Sequence, residues 1–232
     1  MILRDIIQRV LSLYNKGLQS DDNRLKPRHV YNKLVTVRSL LLYQKSNKRQ
    51  SISSWAYQTL PCVEMIKAPL HECPCIPPSG CTTMRSKYPI PEIISDINSP
   101  MLNSVTNLDG DLIFSKSSWS EKKYKKGNRY TSNKPDYFFK DNYLYTTSKD
   151  VPVAILIEAV FRDPIKAKEF PSFCEENCED CQDCTSMLDM DFPLDSSLEE
   201  SLINLTVEEL VNTMLQIPQD RNNDGADDKT ES

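Results

Sequence analysis

The side chains best equipped for chemistry are eight cysteines, which fall into two groups of four. Cys174, Cys178, Cys181 and Cys184 form the run C-x3-C-x2-C-x2-C, while Cys62, Cys73, Cys75 and Cys81 lie far upstream. Overlapping C-x-x-C spacing suits tetrahedral zinc, because two thiolates from one tight turn reach one ion. Zinc would also offset the charge of Glu175, Glu176, Glu179, Asp180 and Asp183. Against this, structural zinc sites usually split their ligands into two separated pairs, and four ligands in one short run tie nothing distant together. An iron–sulfur cluster accepts compact spacing, but the acidic surroundings disfavour it. The competing reading is a loop of reduced thiols, or of disulfides formed after release from the cell. Upstream, His71 with Cys73, Cys75 and Cys81 allows a Cys3His site, whereas Pro74, Pro77 and Pro78 favour a stiff crossing loop.

The last residues imitate a calcium loop. Asp220, Asn222, Asp224, Gly225, Asp228 and Glu231 fall at loop positions 1, 3, 5, 6, 9 and 12. Asp227 stands where an apolar residue is usual, Pro218 breaks the entering helix, and no exiting helix follows. An acidic docking tail is the favoured reading. From Gln219 to Ser232 there is no large apolar side chain, so this stretch cannot fold by itself and gains order only against a partner.

Catalytic constellations are absent. His29 and His71 are far apart, and there is no H-E-x-x-H, G-x-S-x-G, Walker loop or G-x-G-x-x-G. The expectation is a protein that is not an enzyme and holds no cofactor, zinc being the one metal its cysteines allow. Lys122, Lys123, Lys125, Lys126 and Arg129 interleave with Tyr124 and Tyr130, as in nucleic-acid contacts. A basic hairpin tip, or a contact to an acidic neighbouring subunit, explains the same residues.

The elements that must position these groups are bounded by composition. The chain has 232 residues, enough for one large domain or two small ones. Its 39% apolar and 26% charged residues indicate a soluble folding chain. No apolar run approaches the ~20 residues that span a bilayer, and the first residues lack the pattern of a secretory signal. Synthesis and assembly in a cytosol, without a membrane partner, are expected. The net charge of −5 conceals two opposed segments. Lys116 to Lys140 holds eight Lys/Arg against two acids, a net of +6, and Glu169 to Glu200 holds eleven acids and no Lys or Arg, a net of −11. Solvated faces explain either run alone; together they suggest complementary contact between neighbouring copies. A globally acidic chain is not a dedicated nucleic-acid binder, although DNA could slide past it without sticking.

Periodicity predicts a helix over Ile2 to Asn15 and a second from Pro27 to about Gln44. The second has Val30, Tyr31, Leu34, Val37, Leu41 and Leu42 inward and Arg28, Lys33 and Arg38 on its other face. Ile52 to Leu60 reads as one short helix, with Trp55 as a core or interface anchor. Cys62 to Ile66, Thr82 to Tyr88 and Asp111 to Ser115 read as strands. Tyr137–Phe139 and Tyr143–Tyr145 read as a hairpin about Lys140-Asp141-Asn142. Val151 to Phe161 reads as a strand buried on both faces. An amphipathic helix over about Val207 to Leu215 precedes Pro218. The class is α+β: a helical scaffold from both chain termini with a β-rich insertion. The expected segments are 1–60 helical, 61–165 β-rich, 166–200 acidic and Cys-rich, 201–217 the last helix, and 218–232 the docking tail.

In this order the elements resemble a known family, the head-to-tail connector (ring, or adaptor) proteins of short-tailed bacteriophages, particularly of crAss-like phages. The resemblance rests on the N-terminal helix pair with Arg38-Ser39-Leu40-Leu41, Leu60-Pro61-Cys62-Val63 and His71-Glu72-Cys73. It continues through Lys87-Tyr88-Pro89-Ile90-Pro91, Leu144-Tyr145 and Ala159-Val160-Phe161-Arg162-Asp163-Pro164. Asp191-Phe192-Pro193-Leu194, Glu208-Glu209-Leu210 and Asp220-Arg221-Asn222-Asn223 complete it. It implies a virion protein without catalysis, found at the portal vertex and assembled in the host cytoplasm. Such proteins form rings, usually of twelve copies, beneath the portal, and extend the DNA channel toward the tail. The implied partners are the portal protein, other neck and tail ring proteins, further copies of the chain, and genome DNA passing without sequence-specific binding. Leu215, Gln219, Asp220, Asn222, Asn223 and Asp224 would dock on the portal, and Lys122 to Arg129 would touch a neighbouring subunit or ring. The rival expectation is a cytosolic zinc-binding regulatory module built on the Cys174–Cys184 run.

Overall fold

The computed structural model describes residues 2–17, 25–68, 83–96, 99–118, 121, 135–146, 152–174 and 186–214. Three helices form one unit: α1 (Leu3–Tyr14), α2 (Pro27–Asn47) and α4 (Glu199–Met214). In α1, Leu3, Ile6, Ile7 and Val10 recur at three- and four-residue spacing and are buried as one stripe. They pack with Val30, Leu34, Val37 and Leu41 of α2 and Leu202, Ile203 and Leu210 of α4 in one core. Elements far apart in sequence thus share a hydrophobic interior, and the Leu3 N–H donates to Met190 O at 2.9 Å to join them through the backbone as well. The last helix starts earlier than its apolar periodicity suggests. Asp195 accepts from the Ser197 N–H at 3.1 Å and caps a 3-10 turn, Ser196–Leu198, which runs directly into α4.

The middle of the chain is a seven-stranded mixed sheet in the order β3-β7-β1-β2-β6-β5-β4. The strands are β1 (Gln58–Lys67), β2 (Met84–Ser86), β3 (Leu102–Asn107), β4 (Ser115–Lys116), β5 (Asp136–Lys140), β6 (Tyr143–Thr146) and β7 (Ala154–Ala159). Only β4 and β5 pair in parallel among these strands. The two ends of the sheet approach through the chain just before β4. Ile113 bridges Thr106 of β3, and the Phe114 N–H donates to Val105 O at 2.9 Å. This barrel-like closure covers the edge that β3 would otherwise expose. Leu60, Val63, Met65, Val105, Leu144, Ile155 and Ile157 fill its interior.

Local sequence explains how the wall is built. In β1 the inward phase changes from Leu60 to Val63 across a bulge at Pro61 and Cys62, where Cys62 adopts φ +50°. Proline removes a ladder donor and is tolerated at such a bulge. The β5–β6 hairpin turns on Asp141 and Asn142, with φ +51° and +63°. That geometry matches the right-handed twist of the flanking strands, and Asp and Asn tolerate it best after glycine. A short helix, α3 (Pro164–Lys168), follows β7, with Pro164 in its first turn.

Several expectations need correction. Ile52 to Leu60 is not a helix: only Ser54–Ala56 makes a 3-10 turn, and β1 begins at Gln58. The strand expected at Asp111 to Ser115 shrinks to a bridge at Ile113 and the two residues of β4. β3 itself had no signal in the pattern. β7 is not buried on both faces: Ile155, Ile157 and Ala159 face the core, while Glu158 accepts from the Asn103 amide at 2.7 Å on the other side. Arg38 is not on the outer face of α2, since it is fully buried.

Candidate assembly surfaces

Arg38 joins the helical unit to the barrel. Leu34, Arg38 and Leu42 follow one another at four-residue spacing, so helical geometry puts the guanidinium on the inward face. Nε donates to Pro193 O at 2.8 Å, Nη1 to Phe161 O at 2.7 Å and Nη2 to Ala56 O at 3.3 Å. The guanidinium also lies over the Phe192 ring, 5.7 Å from its centroid. One side chain therefore holds the end of β7, the turn before β1 and the segment leading to α4. Burial pulls its pKa down to about 10, partly opposed by Tyr31 and Asp163 nearby. The four-residue repeat with Leu34 and Leu42 is the signal that could have placed it inside.

A second junction lies beside it. The Tyr31 hydroxyl donates to Asp163 Oδ1 at 2.5 Å, and the same oxygen accepts from the Ile165 N–H at 3.2 Å to cap α3. Burial, and then this bond to a carboxylate, push the Tyr31 pKa above that of free tyrosine. The fastening is thus polar as well as apolar, and it positions the surfaces on either side.

A third tie is covalent. Cys62 in the β1 bulge is bonded to Cys174, with Cα atoms 5.7 Å apart, and the Phe173 N–H donates to Cys62 O at 3.1 Å. The chain after α3 is therefore held to the barrel wall where the acidic Cys-rich run begins. Cys174 in this bond cannot be a thiolate ligand of a set with Cys178, Cys181 and Cys184, so the zinc reading requires it reduced. Those three cysteines lie outside the described residues, as do His71, Cys73, Cys75 and Cys81. No group of three or more His, Cys, Asp or Glu is placed to hold a metal among the described residues. No described helix is long and apolar enough to cross a membrane.

The residues expected to meet partners sit beyond described anchor points. Lys122, Lys123, Lys125, Lys126 and Arg129 lie outside the described residues, in the chain that leaves β4 and returns at β5. Leu215, Gln219, Asp220, Asn222, Asn223 and Asp224 also lie outside them, beyond α4. The described surface adds further features. Trp55 is 78% exposed, beside Phe192, Leu194, Asp195 and Glu199, so it is not a core residue. Lys45 pairs with Asp195 at 3.1 Å and Arg9 with Glu199 at 3.2 Å. The Asp195 pKa is lowered, first by the Ser197 backbone N–H and then by Lys45. Leu40 and Tyr43 on α2, and Leu108, Ile113 and Val153 on the barrel, are further exposed apolar side chains.

The family model described as phage tail ring protein 2 matches residues 5–229. Ring protein 2 of Bacteroides phage crAss001 is 31% identical over 222 residues, covering 91% of this chain and 91% of the relative.

Proposed function

Because the chain belongs to the phage tail ring protein 2 family, and is thus a structural component of the virion, we propose that it forms a connector ring beneath the portal. The ring joins portal to tail and extends the channel through which the genome passes. The observation that carries this reading is the extent of the family match, which takes in both the helical unit and the barrel. By family role the protein is a scaffold and not a catalyst.

The physics of a ring is consistent with the sequence. Contacts between successive copies in a closed ring are heterologous, so one surface must complement a different one. The +6 and −11 segments supply that difference in sign. Lys122 to Arg129 serve as the basic side of such a contact, and Leu215 with Gln219 to Asp224 dock on the portal. Acidic groups facing the channel keep passing DNA from adsorbing. Deleting Gln219 to Ser232 tests the docking role: the shortened chain should melt like the full chain yet bind portal more weakly. Unchanged portal attachment would sink the assignment.

A further inference from the structure

A groove runs along the exposed side of α2. Its first part, about 320 Å³, is formed by Leu40 and Tyr43 of α2 with Ile93 and Arg162. A second hollow of about 380 Å³ continues from Ile93 and Ser95 to Phe139 and Lys140, and a third of about 360 Å³ reaches Lys116. The groove is therefore apolar at the α2 end and basic toward β4 and β5. Its charged lining is Lys116, Lys140 and Arg162 against Glu92 and Asp141.

Trp55 stands on the other side of α2. Its neighbour Ala56 accepts from Arg38, and adjacent Asp195 is paired with Lys45. At 3.6 residues per turn, Arg38 and Lys45 lie roughly 140–160° around the helix from Tyr43. The helix thus separates Trp55 from the groove of its own chain. The Trp55 side is lined by Asp195 and Glu199, which are paired with Lys45 and Arg9. Projection and groove thus differ in shape, as the two faces of a head-to-tail contact do.

We propose that Trp55 of one copy seats in the Leu40–Tyr43–Ile93 groove of the next copy, as the central anchor of the contact between subunits. The proposal rests on the ring reading above and names its contact. The hollow is large enough for an indole, and Arg162 at its rim is ion-paired with Glu92 at 3.0 Å. A buried Trp supplies ~150–250 Å² of the ~800 Å² per partner in a stable contact.

Sedimentation velocity tests this on the wild type, Trp55→Ala, Leu40→Glu and an equimolar mixture of the two variants, in whichever condition, alone or with portal, the wild type assembles. Both substitutions are at exposed side chains, and matching near-ultraviolet spectra and melting curves confirm that they fold. Each variant should raise the concentration for half-assembly by about 30-fold. The mixture retains one intact junction, so it should stop at a heterodimer. A Trp119→Phe variant isolates the Trp55 fluorescence, which should shift to the blue on assembly as the indole leaves water. Wild-type assembly by Trp55→Ala, or Trp55 emission unchanged on assembly, would overturn the contact while leaving the ring reading intact. A wild type that forms no oligomer alone or on portal would contradict the ring reading itself.

Discussion

Replacing Arg38 by methionine separates two opposed contributions of a buried cation. Its two short hydrogen bonds, 2.7 and 2.8 Å, contribute ~2 kcal/mol each and the third, at 3.3 Å, ~1 kcal/mol. Against this, the fall in pKa to about 10 corresponds to a net cost of ~3 kcal/mol at neutral pH, set mainly by burial. Methionine forfeits the first and recovers the second, a net loss of ~2 kcal/mol with most of the packing retained. Alanine adds a cavity beside Phe192, for a total of ~4 kcal/mol. In equilibrium urea unfolding the methionine change moves the midpoint down by ~1 M at a slope of ~2 kcal/mol/M. Buried ions replaced by apolar side chains sometimes leave a protein more stable. A midpoint for Arg38→Met at or above that of the wild type would therefore refute the reasoning, showing that the three carbonyls do not need their donor.

Other outcomes follow from the same junctions. The Cys62–Cys174 bond spans 112 residues, for which chain entropy gives an upper limit of ~5 kcal/mol. Reductant should lower the urea midpoint of the wild type and leave Cys174→Ser unaffected; equal oxidised and reduced midpoints would contradict the tie. The folded-state pKa of Tyr31 is raised from 10.0, so this group stabilises the fold below pH 10 and loses that contribution as pH rises beyond it. Tyr31→Phe should therefore show a shallower alkaline decline in unfolding free energy than the wild type. Parallel declines would remove Tyr31 from the account.

Helices and the hairpin were legible because their signals are local. The apolar stripe of α1 and the Asp141-Asn142 turn each specify their own geometry. β3 was not legible, because Leu-Asn-Ser-Val-Thr-Asn is a weak strand former that gains its conformation by pairing with β7. Trp55 suggested a helix by its apolar neighbours, but pairing of Gln58 and Thr59 with β7 pulls the following chain into β1. The Cys62–Cys174 pairing joins a barrel bulge to the chain after α3, and spacing along the sequence carries no trace of it. Arg38 lies inward for a different reason: its charge favours an outer face, but its position between Leu34 and Leu42 sets the helical phase. Trp55 stood out in the sequence as a core or interface anchor, and its exposure excludes the core. The groove did not stand out, because it is formed by segments that meet only after folding.

The central claim is that this chain becomes a ring on the portal. Light scattering of the purified chain with and without portal protein measures the mass per particle directly. A closed oligomer, or a monomer converted to a stoichiometric ring when portal is added, is the expected result. A monomer whose mass is indifferent to portal would contradict the account.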